Sequence, residues 1–165
     1  MQIFILDENP QVSAQILQEL SPKRANKQIV EGMQLFASLA HHYNTQIPLT
    51  KNNKLYKLSH QHHPITKHLI NSRYATNWLF QNLLKLKEYY PNHKSLSPHN
   101  IATALQVLDK PPDNPKTRHN LNLAKSKTKL DPKTSLPLDF THLPITKAYE
   151  LYIKAQTNPR TRNKT

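Results

Sequence analysis

Several residue types are scarce in this chain of 165 residues, and each scarcity excludes a class of protein. There is no cysteine, which excludes disulfide scaffolds, zinc sites with thiolate ligands and cysteine nucleophiles. The chain has a single glycine, whereas the loops that bind dinucleotides or nucleoside triphosphates need several. Hydrophobic residues make up 36% of the chain, less than is usual for a globular domain, so we expect a modest core.

Long apolar runs are missing as well. The first run, Met1–Leu6, is followed at once by Asp7 and Glu8. A secretory signal has a longer apolar run after a basic start, and a membrane-spanning helix needs about 20 apolar residues. We therefore expect a cytoplasmic protein with no membrane partner.

Acidic residues are few relative to basic ones. Ten Asp and Glu oppose 23 Lys and Arg, which gives a formal net charge of +13. A protein of this size and charge attracts polyanions, of which nucleic acid is the commonest for a soluble protein. The alternative is a compositional bias of the source towards Lys and Asn, which are both frequent here. We predict a nucleic-acid partner.

Pairs of a capping residue and a proline mark predicted helix starts. Asn9-Pro10, Ser21-Pro22 and Ser97-Pro98 each place a side-chain acceptor before a proline at the first helical position. Apolar residues then recur at helical spacing. They are Val12, Ile16, Leu17 and Leu20 on the first helix, Ile29, Met33, Phe36 and Ala40 on the second, and Ile101, Ala104, Leu105 and Leu108 on the third.

Two further helices are predicted between these, a short one from Pro64 and a longer one from about Ser72 to Tyr90. Residues 45–59 are polar, which is typical of a loop, and Met1–Leu6 has the composition of one short strand. One strand cannot make a sheet. We therefore predict an all-α fold class: a mainly helical, compact single domain with a short N-terminal extended segment.

The chain divides by composition. Residues 1–109 are the predicted helical body, and residues 110–144 are a basic loop with six prolines that cannot bury enough apolar surface to fold alone. Residues 145–156 are predicted to form a C-terminal helix of the same domain, and residues 157–165 a basic tail.

The second predicted helix concentrates charged residues on one face. Lys23, Lys27, Glu31 and Gln34 follow one another at intervals of three or four residues. One interpretation is a solvated face with a Lys27–Glu31 ion pair, which spacing alone favours. The other is a cleft-facing Glu31 among cations, which would stay ionised and stabilise a cationic sugar-like transition state or act as a base.

Histidines crowd in one short stretch, at His60, His62, His63 and His68. His63 and His68 are five residues apart, which is poor helical geometry for two ligands of one metal, and no Cys, Asp or Glu nearby completes a ligand set. We expect no metal site, and we interpret His63-Pro64 as a structural or phosphate-contacting turn.

The order of several short motifs resembles a small protein family common in phage genomes. The opening stretch Ile3-Phe4-Ile5-Leu6-Asp7-Glu8-Asn9-Pro10 is similar to the family's first motif. The Lys, Glu and Gln pattern from Lys23 to Gln34, then His63-Pro64 and Trp78, follow in the family's order. The layout is also distantly similar to the endonuclease V type of pyrimidine-dimer DNA glycosylases, which are compact helical proteins. In those enzymes an N-terminal amine attacks the sugar carbon and a Glu stabilises the intermediate. They expose a small second residue, where this chain has Gln2, so either Met1 keeps the role of the attacking amine or the chemistry is different or absent.

The resemblance implies a DNA-binding, DNA-processing protein of the phage type, with DNA rather than RNA as its partner. In its most specific form this is a glycosylase and lyase for a damaged or modified base, without a cofactor. Glu31 is then the catalytic carboxylate, and Lys27 supplies an amine or, with Lys23 and Arg24, holds phosphates. The other predicted nucleic-acid contacts are His63, Arg73, Lys116, Arg118, Lys125, Lys127 and Lys129.

Two alternatives to an enzyme stay open. One is a non-enzymatic nucleic-acid-binding protein, in which Glu31 is a structural ion-pair partner. The other is an adaptor that binds an acidic protein.

Overall fold

The structure, a computed structural model, describes residues 3–116 and residue 121. This part of the chain forms five α-helices: α1 Pro10–Leu20, α2 Pro22–Tyr43, α3 Pro64–Ile70, α4 Arg73–Tyr89 and α5 Pro98–Val107. A single turn of 3-10 helix, Lys94–Leu96, lies between α4 and α5. The all-α fold class is confirmed. The predicted helix 145–156, the tail and most of the basic loop lie outside the described residues.

Helices begin where the capping pairs predict. Asn9 Oδ1 accepts hydrogen bonds from the backbone N–H groups of Gln11 at 2.9 Å and Val12 at 3.0 Å. Ser21 and Ser97 accept from the N–H three residues further on, at 3.3 and 3.2 Å. In each case the proline occupies the first helical turn, where its missing N–H leaves no hydrogen bond unmade.

The longest helix, α2, is the centre of the packing, because it contacts each of the other four helices and the 3-10 turn. Its predicted apolar positions Ile29, Met33 and Phe36 are at most 1% exposed, and Trp78 of α4 is buried as predicted. The chain's only glycine, Gly32, is also buried in α2 and lies against the side chain of Leu83 in α4. The core therefore lies between α2 and its neighbours. Residues 35–40 of α2 are buried on every side, so the face that is left for other contacts belongs to the first part of the helix, residues 22–34.

Residues 3–6 are buried but form neither a strand nor a helix, so the predicted strand is absent from them. The reason is that their backbone bonds to helix side chains instead of to another strand. Phe4 N–H donates to Gln28 Oε1 at 2.7 Å, and Leu6 N–H donates to Ser13 Oγ at 2.9 Å. The segment is thereby attached to both α1 and α2.

The buried side chain of Gln28 extends this attachment to α4. Its Nε2 donates to Asn82 Oδ1 at 2.8 Å, and Asn82 Nδ2 donates in turn to the carbonyl oxygen of Pro10 at 3.0 Å. Gln28 and Asn82 are both almost completely shielded from water. Two buried amides thus link the N-terminal segment, α1, α2 and α4 through satisfied hydrogen bonds.

Two positions of the predicted apolar faces are wrong. Val12 and Leu105 are 37% and 58% exposed. On α1 the buried face is Ser13, Ala14 and Leu17, since Ser13 bonds to the N-terminal segment. On α5 the buried residues are Asn100, Thr103, Ala104 and Val107, because Asn100 turns inward to bond the loop at Leu49.

Candidate functional site

The charged residues of α2 lie on the face of the helix that does not enter the core. Lys27 Nζ and Glu31 Oε1 are 4.0 Å apart, one helical turn from each other. The two side chains differ in their access to water, since Lys27 is 73% exposed and Glu31 only 16%. The sequence prediction that these groups share a face is confirmed, and the structure adds that the carboxylate is the shielded member of the pair.

The other predicted cations of α2 lie in its first turn. Lys23 is exposed one turn before Lys27, and Arg24 is half-buried beside it. Because residues three and four apart are neighbours on a helix surface, the three cations form one basic end of α2. We call Lys23, Arg24, Lys27 and Glu31 the α2 charged face.

A histidine turn lies near this face because the loop of residues 45–59 returns to α2. Ser38 Oγ donates to the Ser59 carbonyl oxygen at 2.7 Å, and His41 Nε2 donates to the Tyr56 carbonyl oxygen at 2.8 Å. The histidine turn, residues 60–63, follows directly after Ser59, and in it the ring centroids of His60 and His63 are 6.4 Å apart.

His63 is held in its neutral form and lies within electrostatic range of Glu31. Burial lowers the pKa of the His63 imidazole, the nearby His60 lowers it further, and the charge of Glu31 raises it. His63 Nδ1 accepts a hydrogen bond from Ile65 N–H at 3.1 Å and so caps α3, which places the ring proton on Nε2. His63-Pro64 forms the predicted turn at the start of α3, and the predicted phosphate contact of His63 stays a prediction.

A groove runs along the same side of α2, between that helix, the loop and the 3-10 turn. Its larger hollow has a volume of about 540 Å³ and a mostly apolar lining. The residues that line it are Val30, Gln34, Thr50, Lys51, Tyr56, His93, Lys94 and Ser95. Gln34 belongs to this lining and is three residues after Glu31, so the groove opens beside the α2 charged face.

The 3-10 turn is fixed against α2 by a second histidine cap. His93 Nδ1 accepts from Ser95 N–H at 3.1 Å, and His93 Nε2 donates to Asn26 Oδ1 at 2.9 Å. Burial lowers the pKa of the His93 imidazole, in agreement with a neutral ring that accepts at one nitrogen and donates at the other. The end of the groove is therefore built on an uncharged histidine.

The Arg73 side chain bonds to the protein's own backbone, at the turn of residues 109–111. Its Nε donates to the Pro111 carbonyl oxygen at 3.0 Å, and its terminal nitrogen donates to the Asp109 carbonyl oxygen at 3.0 Å. The side chain remains exposed, and a guanidinium has five N–H donors, so further donors remain for a phosphate.

The other predicted contacts are mostly beyond the described residues. Lys116 is described and exposed. Arg118, Lys125, Lys127 and Lys129 lie outside the described residues, so their predicted role in nucleic-acid binding stays a prediction.

The groove itself was not predicted from the sequence. Its cations Lys51 and Lys94 come from two polar segments that are far apart in the chain, and nothing in their spacing marks them as partners. The available signals were local: Tyr56 is an isolated aromatic in a polar loop, and His93 precedes a short polar turn as His63 precedes Pro64.

Within residues 3–116 and 121, no three His, Asp or Glu side chains come together as a group suited to hold a metal ion. In the same part of the chain, no helix is long and apolar enough to cross a membrane.

Comparison of this chain with protein-family models, with curated proteins and with solved structures finds no match.

Proposed function

We propose that the protein binds DNA through the α2 charged face and acts there as a glycosylase and lyase on a damaged or modified base. The observation that carries this proposal is the contrast within the pair of Lys27 and Glu31, an accessible amine beside a shielded carboxylate. A cytoplasmic location and a role in phage-type DNA processing belong to the same proposal.

The shielded carboxylate suits the chemistry of base release. When a base leaves its sugar, positive charge develops on the sugar ring, as in glycoside hydrolysis. A carboxylate that is already in place and largely removed from water stabilises such a charge more strongly than an exposed one. Glu31, with 16% exposure, meets this requirement.

The accessible amine suits the lyase step. Lys27 first gives up a proton to solvent, and its free amine forms a bond to the sugar C1′ as the bond between C1′ and the base breaks. The base leaves with the proton that the attacking nitrogen releases. The C1′–O4′ bond then opens, O4′ takes up a proton, and the resulting protonated Schiff base links the protein to DNA. Lys27 is exposed enough to reach a sugar, and its 4.0 Å separation from Glu31 places both groups around one position. Lys23 and Arg24 then lie one turn away to bind the flanking phosphates.

A second candidate function is binding without catalysis. An ion pair between residues i and i+4 on an exposed helix face is common and contributes only about 0.3–0.5 kcal/mol. The 4.0 Å distance and the exposed Lys27 also fit this simpler role. The net charge of +13 favours nucleic-acid binding in either case.

Borohydride trapping distinguishes the two functions. Duplex DNA with an abasic site, and ultraviolet-irradiated duplex DNA, are incubated with the protein and reduced. We expect a covalent adduct with the unmodified protein and with Lys67→Met, which removes an exposed lysine of α3. Lys27→Met should give no adduct. An adduct that persists in Lys27→Met would remove Lys27 from the reaction.

Glu31→Gln tests the carboxylate, because it keeps the shape of the side chain and removes its charge. Base release should fall at least ~100-fold, as for other preorganised electrostatic groups, while DNA affinity holds or rises through the loss of a repulsive charge. Unchanged base release would exclude Glu31 from catalysis. Failure of the unmodified protein to release any base, with salt-dependent DNA binding intact, would favour the non-enzymatic function.

A further inference from the structure

We propose that the groove beside α2 holds a single nucleotide of a DNA strand, with its base in the larger hollow and its phosphate between Lys51 and Lys94. This inference rests on the proposed function, because it names the part of the DNA that the site would receive. It is carried by the arrangement of the groove lining.

The groove consists of two adjoining hollows that share a basic boundary. The larger, of about 540 Å³, is next to a smaller one of about 200 Å³. Thr50, Lys51 and Lys94 line both hollows, so two lysines stand where the hollows meet. Among the described residues that line either hollow, none is acidic. A negatively charged group is therefore favoured at that boundary.

The larger hollow has the features that a base requires. Small-molecule sites are mostly apolar clefts of roughly 300–1,000 Å³ with a few polar groups that fix orientation. Here Val30 supplies apolar surface, Tyr56 an aromatic ring and Gln34 an amide with both donors and an acceptor. Aromatic side chains stack on bases, and amides bond to base edges.

Hydrogen bonds join the walls of the groove to the elements around them. Asn100 of α5 bonds to both backbone groups of Leu49, accepting from its N–H at 2.8 Å and donating to its carbonyl oxygen at 2.8 Å. Burial raises the pKa of the Tyr56 phenol, and a side-chain hydrogen bond with Ser95 lowers it. That bond joins the loop wall to the 3-10 turn. A preformed site loses less conformational entropy on binding than a mobile one.

The position of the groove matches the reaction proposed for Glu31. Val30 and Gln34 line the groove, and Glu31 lies between them in the sequence of α2. A strand with one nucleotide seated in the groove would pass the α2 charged face. The groove thus gives the site a means to single out one nucleotide, which exposed lysines alone cannot do.

Binding of single nucleotides tests this inference without any catalytic step. The four deoxynucleoside 5′-monophosphates, the corresponding nucleosides and the single-stranded oligonucleotide dT8 are titrated into ¹⁵N-labelled protein at low salt. We expect saturable shifts at the Gln34 side-chain amide and the Ser95 backbone amide with at least one monophosphate. We also expect dT8 to displace that monophosphate.

Three variants make the test specific. The double change Lys51→Met with Lys94→Met should raise the Kd for the monophosphate about tenfold or more and leave the Kd for the nucleoside within about twofold. Gln34→Leu should raise the Kd for both ligands. Lys67→Met, which removes an exposed lysine that does not line the groove, should change neither.

Each contrary result overturns the inference. No saturable shift in the groove below about 10 mM of any monophosphate would exclude a nucleotide site. Equal weakening by Lys67→Met would mean attraction by net charge alone, and binding of dT8 without displacement would mean that the strand passes elsewhere. Trapped DNA adducts with an empty groove would reject this inference alone, and nucleotide binding without adducts would reject the enzymatic function alone.

Discussion

A methyl group added at Gly32 should stabilise or destabilise the protein depending on the residue at position 83, which is Leu83 in this chain. A Cβ atom at Gly32 would lie 2.8 Å from Leu83 Cδ2 and 2.9 Å from Leu83 Cδ1. Favourable contacts between carbon atoms are about 3.5–4.0 Å, so the added carbon and the leucine would have to separate by roughly 0.6–1.2 Å. Leu83 is 1% exposed and has little space in which to move.

The expected change in stability of Gly32→Ala combines two opposing effects. Overpacking of a core costs about 1–3 kcal/mol, whereas Ala in a helix interior is favoured over Gly by about 1 kcal/mol. The free energy of unfolding should therefore fall by about 0–2 kcal/mol. Without Leu83 the first effect disappears, so in a Leu83→Ala background the same change should stabilise the protein by about 1 kcal/mol or more.

Urea unfolding followed by far-ultraviolet circular dichroism measures both values. Leu83→Ala alone should cost about 2–5 kcal/mol. If that variant does not fold, Leu83→Val is the milder background, in which a γ carbon can remain close to the new Cβ and the stabilisation by Gly32→Ala should be smaller. The reasoning is refuted if Gly32→Ala stabilises the unmodified protein by the full propensity gain. It is equally refuted if the change has the same effect in both backgrounds, because the two residues would then not be coupled.

Three further predictions concern the other links described above. Gln28→Leu removes the hydrogen bonds to Phe4 and Asn82 and should lower the free energy of unfolding by about 2–5 kcal/mol. Gln15→Leu, on the exposed side of α1, should lower it by less than about 0.5 kcal/mol. Similar urea midpoints for the two variants would contradict a stabilising role of the Gln28 hydrogen bonds. Since the pKa values of His63 and His93 are lowered from 6.5, the unfolded chain takes up protons first. The stability that these caps contribute is therefore complete above pH 6.5 and is lost as the pH falls through the lower folded pKa values. The urea midpoint should drop between pH 7.5 and 5.5, and less so in His63→Asn, which keeps a capping acceptor that does not titrate. Arg73→Met tests whether that side chain also binds a phosphate. If it does, the magnitude of the slope of log affinity for DNA against log salt concentration should decrease by about 0.9. If Arg73 only holds the turn at residues 109–111, the slope should stay unchanged.

The helices were predictable because their signals are local. A capping side chain, a following proline and apolar residues at helical spacing act within one or two turns, and the starts of α1, α2 and α5 follow from them. The faces were harder to predict, because a buried polar residue takes its place through a distant partner. Asn100 is buried in α5 to bond Leu49, which is 51 residues away.

The candidate site also has a part that the sequence predicted from local spacing and a part that depends on tertiary packing. The shared face of Lys27 and Glu31 follows from helical spacing and was predictable. The 16% exposure of Glu31 depends on what packs around α2, and the sequence contains no local signal for it. The groove needs α2, the loop and the 3-10 turn together, so only the folded chain reveals that Lys51 and Lys94 lie at one boundary.

The buried tryptophan provides the molecule with an optical reporter at a useful place. Trp78 is the only tryptophan of the chain, and its indole N–H donates to the Glu8 carbonyl oxygen at 2.8 Å, in the residues that lead from the N-terminal segment into α1. Its fluorescence therefore depends on whether that stretch is docked against α4. Local opening of a protein segment requires less free energy than global unfolding. If the Trp78 emission shifts to longer wavelength before the helical circular dichroism is lost during unfolding, the N-terminal segment is released before the helices unfold.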